Sequence, residues 1–153
     1  MSYDICSCSE LRRLTRKITT IYNHYLLPNK LTITQYSLIS SIGRLGQVTN
    51  LELAIDIGMS RSTLSRTLKP LIVRGWVTTV DLPKNRYAER RSLALVLTAL
   101  GQRKLEEAWP NWRLAQDEVD RQLGTGLSTE LGSIVDSAYA KLREPNKDFS
   151  PFN

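Results

Sequence analysis

Between Thr49 and Leu97 the spacing of apolar residues changes from a period near 3.6 to a period of 2, which leaves few architectures open. Thr49 can cap a short helix running to about Ile57, with Leu51, Ala54 and Ile55 as its inward positions. Gly58 closes that helix, because a turn that needs positive φ is least strained at glycine. Ser60 opens a second helix with Leu64, Leu68, Leu71 and Ile72 at core spacing and Gly75 past its end. Pro70 lies inside it, where a bend or a tightened last turn is expected. Trp76 to Val80 is β-branched and aromatic and reads as a strand. Its partner is Ser92 to Leu97, with Leu93, Leu95 and Leu97 on one face. The connection between the strands, Asp81 to Arg91, far exceeds a tight hairpin turn, and loops of that kind tend to carry function.

Helices flank this unit on both sides. Leu11, Leu14, Ile18, Ile21 and Tyr25 form one stripe of a helix from about Ser9 to Leu26, ended by Pro28-Asn29. A helix capped by Thr34 follows, with Tyr36, Ile39, Ile42 and Leu45 inward and Gly43 and Gly46 weakening its end. After the strands, Thr98 caps a long helix that places Leu105, Ala108, Trp112, Ala115, Val119 and Leu123 inward, with a bend expected at Pro110. Gly124 and Gly126 end it, and Ser128 opens a last helix bearing Leu131, Ile134, Val135, Ala138 and Leu142. The expected fold is mainly α with a small β-hairpin wing: a winged helix-turn-helix at 30–99, with helices at 1–29 and 100–145 for dimerisation and a flexible tail at 146–153.

Charge singles out the middle of the chain. Of a net +6 overall, residues 60–91 supply the whole surplus: Arg61, Arg66, Lys69, Arg74, Lys84, Arg86, Arg90 and Arg91 face only Asp81 and Glu89. A localised positive field suits a polyanion. On the helix after Ser60, the outward positions are Arg61, Ser62, Ser65, Arg66 and Lys69, a set of guanidinium forks and short hydroxyls. Arginine can grip guanine O6 and N7 with two hydrogen bonds, and serine can bond several base edges. A helix N-terminus also aims free N–H groups at phosphate. Double-stranded DNA is therefore the expected partner.

These residues also resemble a known family. Ser60-Arg-Ser-Thr-Leu-Ser-Arg-Thr-Leu-Lys-Pro-Leu71, then Arg74-Gly75-Trp76-Val77, is similar to the recognition helix and following strand of MarR-family transcription regulators. Glu89-Arg90-Arg91 ahead of Leu97-Thr98 and Gly101 resembles that family's wing, with Glu where Asp usually stands. Tyr22, Leu26, Pro28, Leu31-Thr32 and Gln35 match a further family pattern, with Asn23 where Asp is frequent. The resemblance spans residues 9–143 and implies a homodimeric repressor on a pseudo-palindromic operator. It implies Arg61, Ser62, Ser65 and Arg66 at base edges of the major groove, and Thr63 and Lys69 near phosphate. Lys84, Arg86, Arg90 and Arg91 would lie on the wing, with Arg86 sent into the minor groove.

The same resemblance implies release by a small aromatic or phenolic effector, and Arg16, Tyr22, Tyr25 and Tyr36 are the candidate residues by position. Cys6 and Cys8, near Arg12 and Arg13, are the alternative: a thiol switch that senses oxidants. A winged-helix module that binds protein is a further alternative. Nothing points to an enzyme. There is no phosphate-cradling glycine loop, no Ser-His-Asp set and no metal-spaced cluster around the single histidine, His24. Glu106-Glu107 and Asp117-Glu118-Asp120 read as a solvated helix face. No cofactor and no metal are expected. The longest apolar stretch, Leu93 to Leu100, is broken by Thr98 and too short to span a bilayer, and Met1-Ser-Tyr-Asp carries no secretory pattern, so the expected location is the cytoplasm.

Overall fold

The computed structural model describes residues 6–82 and 93–142. The elements run α1 (Ser7–Leu26), a single 3-10 turn (Leu27–Asn29), α2 (Ile33–Leu45), β1 (Val48–Thr49), α3 (Asn50–Asp56) and α4 (Arg61–Val73). They continue with β2 (Val77–Asp81), β3 (Leu93–Leu97), α5 (Ala99–Leu123) and α6 (Thr125–Lys141). The chain divides into two compact units, Met1–Gln116 and Asp117–Asn153. Among the described residues no helix is long and apolar enough to cross a membrane.

The core of the first unit is built from α2, α3, α4 and the sheet: Leu38, Ile39, Ile42, Leu53, Leu64, Leu68, Leu71, Val77 and Leu95 are all buried. α1 contributes Leu26, and α5 contributes Ala108. Burying a leucine side chain is worth roughly 1.5–3 kcal/mol, so this shared cluster, more than helix propensity, holds elements as short as α3 in place.

Local chemistry sets where each helix starts. The cap of α2 lies two residues before the expected one. Thr32, not Thr34, is the N-cap: its Oγ1 accepts the Gln35 N–H at 3.2 Å, and the Gln35 side chain accepts the Thr32 N–H, a complete capping box. α3 carries the same box between Thr49 and Glu52. That cap fixes the rotation of a seven-residue helix. Leu53 and Ala54 turn inward, whereas Leu51 and Ile55, expected inside, are exposed. In α4 the row Leu64, Leu68, Leu71 is buried, but Ile72 beside it is exposed. α4 runs through Pro70, and α5 runs through Pro110, each as one helix.

The sheet has three strands in the order β1-β3-β2, all antiparallel. β1 was not foreseen. It pairs Val48 with Leu95 and Thr49 with Ala94, while β2 pairs Val77 with Leu97 through Asp81 with Leu93. β3 is therefore central, and its alternation is broken: Ala94 and Leu95 are both buried and Leu93 is exposed.

The flanking helices depart most from expectation. In α1 the residues that enter the core are Tyr22 and Leu26, while Leu11 of the expected stripe is exposed and Leu14, Ile18, Ile21 and Tyr25 are half-buried. α6 starts at Thr125 with Gly124 as its N-cap, so Gly126 lies within the helix. Ser128 instead donates its hydroxyl to Asp120 Oδ1 at 2.5 Å. Ile134, Val135, Ala138 and Leu142, read as inward, are exposed.

Moving the α2 cap predicts a contrast between two threonines. Thr32→Ala should lower stability by about 1 kcal/mol, and Thr34→Ala by less than about half of that, as read from urea denaturation midpoints.

Candidate nucleic-acid interface

α3 and α4 are joined by a turn that the backbone itself closes. The Gly58 N–H reaches the Ile55 carbonyl at 3.3 Å and the Met59 N–H reaches the Ala54 carbonyl at 2.9 Å, with Gly58 at φ 64°. This double closure satisfies the last carbonyls of α3 and turns the chain sharply into α4. At the other edge of the motif, Arg44 Nη2 donates to both carboxylate oxygens of Asp56, each at 2.7 Å, fastening the end of α2 to the end of α3. The guanidinium holds the Asp56 carboxyl below its ordinary range.

α4 opens at Ser60, whose Oγ accepts the Thr63 N–H at 3.3 Å and donates to Thr63 Oγ1 at 2.9 Å. Because Leu64, Leu68 and Leu71 take the inner side, Arg61, Ser62, Ser65, Arg66 and Lys69 stand exposed on the outer side, and Thr63 is half-buried. Among the described residues no acid pairs with Arg61, Arg66 or Lys69. Five of the six α4 residues expected to meet DNA thus share one solvent-facing side of the helix. Lys84, Arg86, Arg90 and Arg91 of the expected wing lie outside the described residues.

A concave feature lies on α2 and α5. Tyr36, Ser37, Ser40, Ser41, Trp109 and Trp112 line a cleft of about 360 Å³. The Tyr36 and Trp112 rings are stacked, 5.7 Å apart and 11° from parallel, and Tyr22 approaches Trp112 at 6.5 Å. Burial pushes the Tyr36 phenol up from its ordinary value. The Tyr22 hydroxyl donates to Gln116 Oε1.

The sequence model of the MarR family matches residues 31–86. The crystal structure of the M. tuberculosis transcriptional regulator MosR in complex with DNA is 31% identical, with a TM-score of 0.71, over 90% of this chain and 100% of that one. The chain belongs to the MarR family. The multiple antibiotic resistance protein MarR of Salmonella typhimurium is 28% identical over 129 residues, 84% of this chain and 85% of that protein. MarR from E. coli, solved as a mutant complexed with operator DNA, shares the fold at a TM-score of 0.74 and 21% identity, over 85% of this chain and 91% of that one. The helices, the antiparallel wing strands and the flanking helices are those of a winged helix-turn-helix.

Within this MarR-family fold the four expected effector residues do not form one group. Tyr36 lines the cleft and Tyr22 touches its Trp112 wall. Tyr25 is half-buried with its ring edge-on to His24 at 5.5 Å, and Arg16 is exposed, so neither belongs to that lining. The residues missed are Ser37, Ser40, Ser41 and Trp109. The serines recur at three and four on α2, opposite an apolar row, and that spacing was the available signal. Trp112, expected inward on the long helix, packs on the core of its own chain.

Cys6 and Cys8 are both exposed. The Cys6 thiol is held below its ordinary value, chiefly by a hydrogen bond from the Ser9 side chain and then by the Ser9 and Cys8 backbone, with a smaller pull from Arg12. Arg13 is engaged elsewhere, paired with Glu10 at 3.0 Å. Among the described residues no three His, Cys, Asp or Glu are placed to hold a metal.

Proposed function

We propose that this MarR-family chain is a dimeric, sequence-specific DNA-binding repressor acting in the cytoplasm. The observation that carries the reading is the outer face of α4, where Arg61, Arg66 and Lys69 stand exposed beside Ser62 and Ser65 without a described acid to neutralise them. Desolvating such a face in a major groove replaces water by base edges and phosphates of opposite charge. Arg61, Ser62, Ser65 and Arg66 read bases, and Thr63 and Lys69 touch phosphate. Lys84, Arg86, Arg90 and Arg91 follow the adjacent minor groove. Residues 30–99 form the reading head, and 1–29 with 100–145 pair two chains; the expected tail at 146–153 lies outside the described residues.

Pairing is supported by apolar surface that one chain leaves open. Ile134 is 63% exposed, Tyr139 68% and Leu142 78%, and Leu11 on α1 and Trp109 on α5 are also exposed. A monomer rarely presents that much of a helix to water. Two heads held side by side fit half-sites about one helical turn, roughly 10 bp, apart.

Release follows from one of two inputs. The Tyr36–Trp112 cleft suits a flat aromatic or phenolic effector, with the serines of α2 as its polar contacts. The alternative is oxidation: hydrogen peroxide accepts two electrons from the Cys6 and Cys8 thiols, forming a disulfide and two waters, and the lowered Cys6 thiol is the attacking group.

Four measurements test these statements. Arg66→Ala should cost about 1–3 kcal/mol on a selected operator and relax base preference at one position, with little loss on random duplex. Equal loss on both sequences makes Arg66 a phosphate contact, and binding without salt dependence removes the nucleic-acid reading altogether. Sedimentation equilibrium at micromolar concentration should give twice the 17.4 kDa chain mass, and a stable monomer would contradict pairing. Operator affinity followed with substituted phenols, and separately with mild peroxide, should fall in one series. Cys6→Ser abolishes only the peroxide response, and an affinity untouched by both leaves neither input standing.

A further inference from the structure

Resting on the DNA-binding reading, we infer that Thr98 and Gly101 are positioning residues that lock the pose of α4 against the first turn of α5. The end of α4 is closed through Gly75, at φ 69°, with the Gly75 N–H on the Ile72 carbonyl at 2.9 Å and the Trp76 N–H on the Leu71 carbonyl at 3.0 Å. The two carbonyls at this turn are then gripped by one residue across it. Thr98 donates its hydroxyl to the Gly75 carbonyl at 2.5 Å and its N–H to the Trp76 carbonyl at 3.1 Å. The same hydroxyl oxygen accepts the Gly101 N–H at 3.0 Å and so caps α5. Gly101 is buried, and a Cβ there would lie 2.0 Å from the Trp76 carbonyl oxygen and 2.8 Å from its carbon.

Two backbones in such contact cannot slide or tilt independently. Lys104, one turn further along α5, reaches over the Trp76 ring at 5.5 Å, and Arg74 approaches it at 4.9 Å. The contact sits at the C-terminal end of α4, and the proposed base-reading residues lie along its N-terminal half, with Arg61 and Ser62 furthest away. Thirteen residues make that lever about 18 Å long. A tilt of about 10° at the joint therefore carries Arg61 and Ser62 about 3 Å, a full hydrogen-bond length.

The test uses Gly101→Ala, Thr98→Val and the conservative Thr98→Ser in the full chain. In free protein, amide exchange at Thr98 and Gly101 should quicken at least tenfold in Thr98→Val, while the Leu64 and Leu68 amides keep their protection. Preference for a selected operator over a scrambled duplex should fall at least tenfold in Thr98→Val and Gly101→Ala. Affinity for the scrambled duplex should stay within twofold, and Thr98→Ser should regain the preference to within threefold. Unchanged exchange in Thr98→Val means there is no lock, and released amides with intact operator preference mean the lock does not serve recognition. Either result overturns the inference while DNA binding stands. A wild-type chain without operator preference overturns both readings, and the comparison of wild-type duplex affinities alone reveals it.

Discussion

The burial of Leu64, Leu68 and Leu71 along one side of α4 is the constraint on which the remaining arrangement turns. At 3.6 residues per turn, committing that row to the core leaves no freedom in where the intervening side chains point. Arg61, Ser62, Ser65, Arg66 and Lys69 face water because the leucines do not. The capping box of α3, the glycine-closed turn at Gly58 and the Arg44–Asp56 fork then fix the helix that must stand behind α4. Each of these devices is local and individually modest. The shared core makes them cooperative.

How much could be read from residues alone varied with the range of the deciding interaction. The existence and order of the helices and the two wing strands were legible because periodicity is a local signal, and Thr49, Ser60 and Gly75 marked their ends correctly. The α2 cap was misplaced because two threonines compete there, and only the reciprocal bond with Gln35 selects Thr32. Leu51, Ile55 and Ile72 were read as core because a short apolar row has two nearly equivalent faces, and tertiary packing chooses between them. β1 was invisible: two residues carry no period, and they become a strand only because Leu95 and Ala94 lie opposite.

The candidate site divides along the same line. The major-groove set rested on helical spacing and a charge bias, both local, and its members share one exposed surface. The effector set rested on position within a cleft between distant helices, and it split: Tyr22 and Tyr36 meet Trp112, while Arg16 and Tyr25 do not join them. The aromatic stack needs α2 and α5, some seventy residues apart in sequence, to come within ring contact. No window of sequence contains that information.

Thr49 holds two posts at once. Its side chain caps α3 through Glu52, and its backbone is half of the two-residue strand that runs beside Ala94 and Leu95. The hairpin and the first helix of the turn motif are therefore stitched at a single residue. A displacement of the wing's central strand therefore tugs on the root of α3 through Thr49, alongside its route to the end of α4 through β2 and Thr98.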